Sequence, residues 1–564
     1  MKVPSVLLLA LAAGHVAALD RKFYGLNYDV KPASGSGCKQ PWQIQREVAA
    51  FKATTDAIRV YATACTSDVL DAAAKNNMKV WVGLWSDLTY THAFDGEFNN
   101  LKQLVQSKKI RNDNVAGIQI GSEVLYRWYI QGKHDKADKT GVNWLIEQMK
   151  RVRAYLRENK INIPVTVADV MDGYNLFPEL YEAVDVVSVN QFSMWENVKA
   201  VDGVSTLFGH WGDVTKQAKA AGKPVMISET GWSAGDDKDL VAEASPDAQA
   251  RYAKDFLSFA EKQNINYYYF SAIDLVHDAD LVEKTFGMFD GNANMKPDIA
   301  NVHVGSKPIA TRLFHGDKVL KVDPANWNAL LVEAPASGLG KNLDNELWFY
   351  QPDSQTYYSK SSNQCLDAYG DSNNALSVHV YACSAENANQ KWKMSDDGHL
   401  TNLNGANQCM DVDPSQDDKV AMWWCYDGPN QKFAARPVAA EAITLGKSNT
   451  YLYEWYGDVV ATSDVKYKDN AVWFYDPLHQ TLKSKSSGKC LDGYQTENDV
   501  AVHVYDCDNA NANQKWQHND VTGQWMHASK LGLCLDTLAN GKTHLDYCDK
   551  TKASHKWPMA FATN

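Results

Sequence analysis

VAGIQIGSE, at residues 115–123, is an apolar run that ends on a carboxylate. It is the fourth of eight short apolar runs between residues 21 and 305, with helix-like spans such as 142–157 between them. A strand followed by a helix, repeated eight times, predicts a (β/α)8 TIM barrel. A doubly wound sheet is the structural alternative, but no glycine-rich phosphate turn follows the first run. The runs are 24–28, 57–61, 79–84, 115–121, 163–167, 184–189, 224–228 and 265–270.

Two of these runs end on a glutamate. Glu123 follows the fourth run, and Glu229 follows the seventh. Because the active sites of TIM barrels lie at the carboxyl ends of the strands, both side chains are expected at the mouth of the barrel. Retaining glycosidases use two carboxyl groups about 5 Å apart, one as acid/base and one as nucleophile. The pair therefore indicates glycoside hydrolysis, with a structural ion-pair network as the alternative.

The sequences around both glutamates resemble glycoside hydrolase family 17, the β-1,3-glucanase family, in its fungal-type cell-wall branch. The resemblance is carried by GSEVLYR at 121–127 and SETGW at 228–232, and FSAID at 270–274 and EKTFGMF at 283–289 support it. It implies that Glu123 is the general acid/base and Glu229 the nucleophile of a retaining mechanism. It also implies that no metal or cofactor takes part.

Polar and aromatic residues near the strand ends are candidate sugar contacts, with core or rim packing as the alternative for each. Two positions depart from the pattern of the family. Ser122 stands where the wider clan usually has Asn, and 274–278 (DLVHD) replaces a Glu and a Lys, which leaves the balance between hydrolysis and transglycosylation open. The predicted substrate contacts are Tyr28, Tyr61, Ser122, Tyr126, Asn190, Phe192, Trp232 and Glu283, with Trp85 and Trp195 as further stacking candidates.

The C-terminal half contains a duplication. The series LWFY, SKSS, CLD, VHVY and NQKW that begins at Leu347 recurs almost unchanged from Val472, an offset of 125 residues. A shorter repeat of about 40 residues lies within each copy. Short apolar runs alternate with Gly, Asn, Asp and Ser clusters, which is typical of strands and turns.

This pattern resembles the ricin-type β-trefoil lectin, present twice in tandem. The predicted domains are a signal peptide (1–18), the barrel (19–305), and trefoils at 309–437 and 438–564. The resemblance implies three sugar sites, while Trp392 and Trp516 are expected to pack the trefoil cores and the last subrepeat, with Asp546, Ser554 and His555, is expected to bind no sugar. The predicted site residues are Asp367, His379, Tyr381, Asn389 and Gln390; Asp411, Trp423, Asn430 and Gln431; and Asp492, His503, Tyr505, Asn513 and Gln514.

The N-terminal segment and the cysteines indicate export. Lys2, the apolar run 6–13 and the small residues near 16–18 are typical of a secretory signal, with a buried helix as the alternative. An even number of cysteines without C-x-x-C spacing indicates disulfides rather than zinc. Sequence alone leaves the connectivity open, although the repeat nearly fixes it in the C-terminal half. The expected pairs are Cys38 with Cys65, Cys365 with Cys383, Cys409 with Cys425, Cys490 with Cys507 and Cys534 with Cys548.

Composition narrows the choice of function. A net charge of −12 argues against a nucleic-acid surface, and no run after the signal is long enough for a membrane span. Aromatic residues make up 11% of the chain, which is compatible with carbohydrate binding. The sequence therefore predicts a secreted or cell-wall β-1,3-glucan hydrolase carrying two lectin-like modules, with β-1,3-glucan and other carbohydrate as partners. The alternatives are a β-1,3-glucan transglucosylase and a catalytically silent lectin or adhesin; the oligomeric state is not readable.

Overall fold

The computed structural model describes most of the chain after residue 18. The described residues are 19–235, 241–323, 325–333, 343–370, 376–384, 386–404, 407–416, 419–438, 440–447, 449–497 and 499–562. The predicted signal segment lies outside them and stays a prediction. Among the described residues, no helix is both long and apolar enough to cross a membrane.

Eight parallel strands close into a barrel, as the apolar runs predict. Parallel strands are covered on both faces, so they need nearly continuous apolar sequence, and most of these strand residues are buried. The strands are β1 (Gly25–Asn27), β2 (Ala57–Val60), β3 (Lys79–Leu84), β4 (Val115–Ser122), β5 (Val165–Val170), β6 (Val187–Asn190), β7 (Val225–Glu229) and β8 (Asn266–Tyr269).

Amphipathic helices surround this barrel and bury their apolar faces against it. The longest is α7, which ends at Gly222 in the left-handed region (φ 72°), a usual way to end a helix. The helices are α1 (Pro41–Phe51), α2 (Thr66–Lys75), α3 (Phe94–Gln106), α4 (Thr140–Glu158), α5 (Met171–Leu176), α6 (Glu179–Ala183), α7 (Ala200–Ala221), α8 (Pro246–Gln263), α9 (Leu281–Lys284) and α10 (Pro297–Ala300).

The C-terminal half forms two all-β bodies of twelve strands each, which confirms the duplicated trefoil. The first contains β9 (Ile309–His315), β10 (Lys318–Val322), β11 (Ala329–Glu333), α11 (Leu343–Glu346), β12 (Trp348–Gln351), β13 (Thr356–Ser359), β14 (Cys365–Gly370), β15 (Leu376–Tyr381), β16 (Trp392–Met394), β17 (Leu400–Asn402), β18 (Gln408–Asp413), β19 (Lys419–Trp424) and β20 (Ala434–Pro437).

The second trefoil repeats the order of the first. It contains β21 (Glu441–Lys447), β22 (Thr450–Trp455), β23 (Asp458–Thr462), β24 (Val472–Asp476), β25 (Thr481–Ser484), β26 (Cys490–Gln495), β27 (Val500–Tyr505), β28 (Trp516–Asn519), β29 (Gln524–His527), β30 (Leu533–Thr537), β31 (Thr543–Tyr547) and β32 (Met559–Phe561).

Buried tryptophans pack the core of each trefoil. Trp392 and Trp516 are fully buried, and their indole N–H groups donate to the carbonyls of Leu366 (2.9 Å) and Leu491 (2.8 Å). This is the structural role expected for the tryptophan of the repeat.

Five disulfides form with the expected pairing, and four of them lie in the repeat. In each trefoil hairpin the first cysteine is buried near the start of its strand, and its partner follows the end of the next strand. The bond therefore closes the open end of the hairpin. Four cysteines follow strand ends in this way: Cys383 and Cys507 at the surface, Cys425 half-buried and Cys548 buried. The bonds join Cys38 to Cys65, Cys365 to Cys383, Cys409 to Cys425, Cys490 to Cys507 and Cys534 to Cys548.

The second trefoil closes the floor of the barrel. Leu531, in the loop between β29 and β30, packs in one cluster with Ala57, Trp81 and Met226 from the amino-terminal ends of the barrel strands. The next residue, Gly532, has φ 78°, and a Cβ there would lie 3.1 Å from the Asp185 carbonyl oxygen. A small residue in the left-handed region is therefore required for the loop to enter the floor.

Changing Leu531 tests whether this contact stabilises the barrel. We expect Leu531→Asp to reduce the free energy of unfolding by about 2–5 kcal/mol, because it removes a buried leucine and places a carboxylate among apolar side chains. Urea unfolding followed by tryptophan fluorescence measures the loss. Leu538→Asp is the matched control, since Leu538 is exposed in the same trefoil. Equal stability of the two variants would contradict a stabilising floor contact.

Candidate active site

The mouth of the barrel holds a cleft of about 590 Å³ that both glutamates line. Glu229 is the last residue of β7, and Glu123 follows β4 directly. Glu123 has φ 57°, in the left-handed region, and its amide donates to the Ala168 carbonyl of β5 at 2.8 Å. A non-glycine residue in this region is uncommon and often marks a functional position. The two glutamates line the same opening from β4 and β7, with β5 and β6 between them in the barrel.

A buried arginine holds Glu229. Arg59, on β2, is fully buried, and its Nη1 donates to Glu229 Oε1 at 2.8 Å. The Ser122 hydroxyl donates to the same oxygen at 2.8 Å. The guanidinium also contacts Asn27 (2.6 Å) and Gln119, so its donors are held in a fixed arrangement. Charge-assisted hydrogen bonds of this kind stabilise an ionised carboxylate.

Glu123 has a different environment, although Asn190 links it to the same network. Asn190 Nδ2 donates to Glu123 Oε1 at 3.0 Å and lies 3.3 Å from the Ser122 hydroxyl. Burial, and then the charge of Glu229, raises the pKa of Glu123. Glu229 therefore forms an ion pair with a buried arginine, whereas the raised pKa of Glu123 favours its protonated form. A nucleophile and a general acid need this difference between two carboxyl groups.

A third carboxyl lies behind Glu123 and shapes its turn. Asp169, on β5, accepts the amide N–H groups of Leu125 (2.7 Å) and Tyr126 (3.1 Å). Burial raises the pKa of Asp169 to about 7. Both amides belong to the turn that follows Glu123, so Asp169 fixes the direction in which Glu123 leaves its strand. Sequence reasoning missed both this residue and Arg59. Arg59 stands inside the apolar run 57–61, and Asp169 lies two residues beyond the run 163–167, on a strand that continues to Val170.

Tyr61 and Trp85 line the cleft, whereas Glu283 and Trp195 lie outside its lining. Tyr61 lies 4.7 Å from the Arg59 guanidinium, and its buried hydroxyl has no hydrogen-bond partner among the described residues. Trp85 is 42% exposed and stacks with the Arg127 guanidinium at 4.8 Å. Burial, and then the charges of Asp278 and Asp280, raises the pKa of Glu283 to about 7. Trp195 is 40% exposed on the loop after β6.

The structure places the other predicted contacts outside the cleft lining or gives them other partners. Trp232 is fully buried, with its indole N–H on the Glu243 carbonyl, so it is not a stacking surface. The Tyr28 ring lines the cleft, but its hydroxyl donates to buried Glu47 at 2.7 Å. Asn190 is also fully buried and holds Glu123. Tyr126 and Phe192 do not line the cleft; Phe192 packs edge-on against Phe270 and Phe286.

The two equivalent lectin sites have the same geometry. His379 Nε2 lies 3.3 Å from Asp367, and His503 Nε2 lies 3.6 Å from Asp492. Tyr381 and Tyr505 are 57% and 56% exposed beside these histidines. An exposed aromatic face next to a fixed carboxylate can hold one face and one hydroxyl edge of a sugar.

The amide residues of these sites differ from the prediction. The three motif glutamines are fully buried and cannot contact a sugar from solvent. They donate hydrogen bonds to the turn or to the site aspartate: Gln390, Gln431 and Gln514. Asn387 and Asn511 donate to Asp367 and Asp492, each at 3.0 Å, and sequence reasoning missed both. Asn513 accepts a hydrogen bond from Lys530 (2.8 Å), and the Asn389 carbonyl accepts from Asn402.

The third and last subrepeats differ from each other as predicted. In the third predicted site, Asp411 accepts a hydrogen bond from the Gln431 amide at 2.8 Å. Trp423 is 62% exposed, and Asn430 directly precedes Gln431 in the sequence. In the last subrepeat, Lys552 pairs with Asp546, where the aromatic would stand.

A cluster of Asp536, Asp546 and His555 in the last subrepeat has the spacing of metal ligands. His555 Nδ1 accepts the Asp549 amide at 3.1 Å, so the neutral ring carries its proton on Nε2, which faces Asp536. That nitrogen has no lone pair for a cation, and the residues do not fit a metal site.

Fold and cleft together define a glycosidase-type barrel joined to lectin-type trefoils. Residues 25–287 match the family model of the BtgE/BtgC glycoside hydrolase domain, and residues 309–433 and 453–557 match the ricin-type β-trefoil lectin domain. The chain therefore carries a BtgE/BtgC glycoside hydrolase domain of the family 17 type, followed by ricin-type lectin domains.

Named relatives match mainly the barrel. A protein of Aspergillus terreus, "Probable glucan endo-1,3-beta-glucosidase btgC", is 26% identical over 47% of this chain, which spans 42% of that relative. A "Glucan 1,3-beta-glucosidase" of Arthroderma benhamiae is 26% identical over 49% of this chain and 86% of its own length. An active-site mutant of Rhizomucor miehei β-1,3-glucanosyltransferase in complex with laminaritriose is 31% identical, covering 50% of this chain and 98% of its own, with a TM-score of 0.43.

Proposed function

We propose that the protein is a secreted, retaining β-1,3-glucan hydrolase that its trefoils attach to carbohydrate. The observation that carries the proposal is the asymmetric pair of glutamates at the mouth of the barrel. Glu229 has a buried arginine on one oxygen, whereas Glu123 has a raised pKa. The names of the relatives support β-1,3-glucan as the substrate class. The five disulfides are typical of proteins from oxidising compartments.

The geometry suggests a two-step reaction. Glu229 attacks the anomeric carbon of the bound glucose while Glu123 gives its proton to the glycosidic oxygen, so the leaving chain departs as an alcohol. Glu123, now ionised, takes a proton from water, which attacks the same carbon and releases Glu229. Two inversions leave the β configuration unchanged. The Arg59 guanidinium keeps Glu229 oriented in both steps.

Transfer to a second glucan chain is the second candidate, and the position of Trp85 favours it. Since Glu123 protonates the leaving chain, that chain lies on the Glu123 side of the cleft. Trp85 stacks on Arg127, four residues after Glu123, and its exposed face borders this side. A sugar stacked there after the first step would compete with water for the glycosyl-enzyme. Transfer differs from hydrolysis in the acceptor alone, and the same residues serve both.

Product analysis on linear β-1,3-glucan oligosaccharides tests both candidates. The purified chain is incubated with laminarihexaose, and the products are separated by size. Shorter oligosaccharides alone would establish hydrolysis, whereas products longer than the hexaose would establish transfer. Proton NMR of the first products distinguishes β from α anomers and tests retention. Binding of the polymer without any turnover would contradict the enzyme and leave a glucan-binding lectin.

A further inference from the structure

The second trefoil has an exposed aromatic cluster that the lectin pattern does not include. Trp455 (40% exposed) and Tyr467 (48% exposed) stack with ring centroids 5.5 Å apart and planes 10° apart. Tyr456, at the turn between β22 and β23, is 90% exposed. This hairpin belongs to the first subrepeat, which lacks a cysteine pair. Large aromatic side chains standing in solvent on a rigid hairpin are typical of binding surfaces.

Strand register places this cluster beside the predicted sugar site. Trp455 pairs with Asp458 across the hairpin, Asp458 pairs with His503 of β27, and His503 pairs with Asp492 of β26. Side chains of directly paired residues lie on the same face of a sheet. Trp455, Asp458, His503 and Asp492 therefore form one row on one face. The amide of Val504 also donates to the Gly457 carbonyl at 3.1 Å, which fixes the hairpin against β27.

The row has the dimensions and chemistry of an extended sugar site. Neighbouring strands lie about 4.8 Å apart, so Trp455 stands about 10 Å from His503, enough for more than one linked hexose. β-Linked glucose has only equatorial substituents, so both ring faces present C–H groups that an indole can cover. The carboxylates of Asp458 and Asp492 alternate with the aromatic rings along the row, where they can accept bonds from sugar hydroxyls.

The first trefoil provides an internal comparison. Asn328 pairs with His379 in the place of Asp458, and the Asn328 carbonyl accepts the amide of Asp323. Asp323 thus stands in the first trefoil where Trp455 stands in the second. The first trefoil also has an exposed Trp327, but it lies in the turn, at the place of Gly457. Both trefoils share the Asp–His–Tyr site, and the second alone has the tryptophan in this row.

We propose that Trp455 extends the Asp492 site of the second trefoil into a subsite for an additional glucose residue of a β-1,3-glucan chain. This inference rests on the proposed function, which supplies the lectin site and the polymer. It predicts that the second trefoil binds a glucan oligosaccharide more tightly than glucose. The affinity of the first trefoil should increase less with each glucose residue added to the ligand.

Calorimetric titration of the full chain tests the subsite. Every protein carries Glu229→Gln to stop turnover, and the probes are glucose and laminarihexaose. We expect Trp455→Ala to weaken hexaose binding at the trefoil about 3- to 10-fold, the loss of roughly one aromatic stacking contact. Glucose binding should not change, because Trp455 lies three strands from Asp492. Asp323→Ala in the first trefoil is the matched control and should leave both probes unaffected.

Asp492→Ala separates failure of the subsite from failure of the lectin site. If Asp492→Ala weakens hexaose binding and Trp455→Ala does not, the lectin site stands and the subsite is wrong. If neither substitution changes binding of either probe, the second trefoil is not a β-1,3-glucan site, and both proposals for it are overturned. Support requires that Trp455→Ala has no further effect once Asp492 is changed, since a subsite acts only together with the site that it extends.

Discussion

Glu229→Gln is expected to lower kcat on laminarihexaose by at least about 10⁴-fold, while the protein stays folded. An amide cannot form the glycosyl ester, and removing a residue of a covalent mechanism costs about this much in other hydrolases. The shape of the side chain is preserved, and its oxygen can still accept from Arg59, but the buried guanidinium loses its counter-charge, so a loss of unfolding free energy of up to about 3–5 kcal/mol is expected. Initial rates from product chromatography, with urea unfolding alongside, measure both quantities.

Glu196→Gln is the control for this substitution. Glu196 is exposed on the short helix after β6, where it contacts His210 at 2.8 Å, and it does not line the cleft. The Glu196→Gln variant should retain full activity on laminarihexaose. A 2-fluoro glucoside that traps the glycosyl-enzyme should label the peptide that contains Glu229. Activity within tenfold of the unchanged protein, or a label on another carboxylate, would show that Glu229 is not the nucleophile.

Arg59→Met is expected to affect both stability and turnover. The substitution keeps an unbranched side chain about as long as the aliphatic part of arginine but leaves Glu229, Asn27 and Gln119 without the donors they now contact. Breaking a buried ion pair costs about 3–5 kcal/mol of unfolding free energy, since an uncompensated charge stays buried. We also expect kcat/KM to fall by about 10²–10³-fold, because Glu229 loses its orientation and its counter-charge.

Arg151→Met provides the comparison for Arg59. Arg151 pairs with Asp95 at 3.0 Å on the surface, where a salt bridge contributes about 1 kcal/mol or less. Arg59→Lys keeps the charge but loses the planar guanidinium. Its stability and its kcat/KM should lie between those of Arg59→Met and Arg151→Met. Urea unfolding gives the stability difference, and rates on laminarihexaose give kcat/KM. An Arg59→Met protein as stable and active as Arg151→Met would exclude the proposed role of the guanidinium.

Sequence reasoning predicted the architecture because its signals are local and repeated. Eight apolar runs place eight strands, and the recurrence of CLD and NQKW places two trefoils and the pairing of their cysteines. Glu123 and Glu229 were recognisable because each follows a strand directly. Barrel closure then brings strand ends together, whatever lies between them in the sequence.

The residues that sequence reasoning missed depend on distant contacts. In the sequence, Arg59 is one residue of the strand 57–60 with no sign of a functional role. Only the closed barrel brings its guanidinium into contact with Glu229. Trp232 follows a strand end, as a sugar-stacking residue would, but Gly203 leaves space for its ring beside Tyr252. Asn387 and Asn511 precede the motif glutamines by three residues, and the intervening turn, invisible in the motif itself, brings them to the aspartates.

Because the second trefoil closes the floor of the barrel, binding by the cleft and by this trefoil at the same time requires a long polymer. Leu531 and Gly532 fix the second trefoil at the amino-terminal end of the strands, whereas Glu123 and Glu229 open at the other end. Strands that average five residues separate the two ends by about 17 Å. A short oligosaccharide cannot reach from one end to the other, so it occupies one of them at a time. Under the proposed function, a long or cross-linked glucan would occupy both at once and stay bound between cuts, whereas short fragments would dissociate.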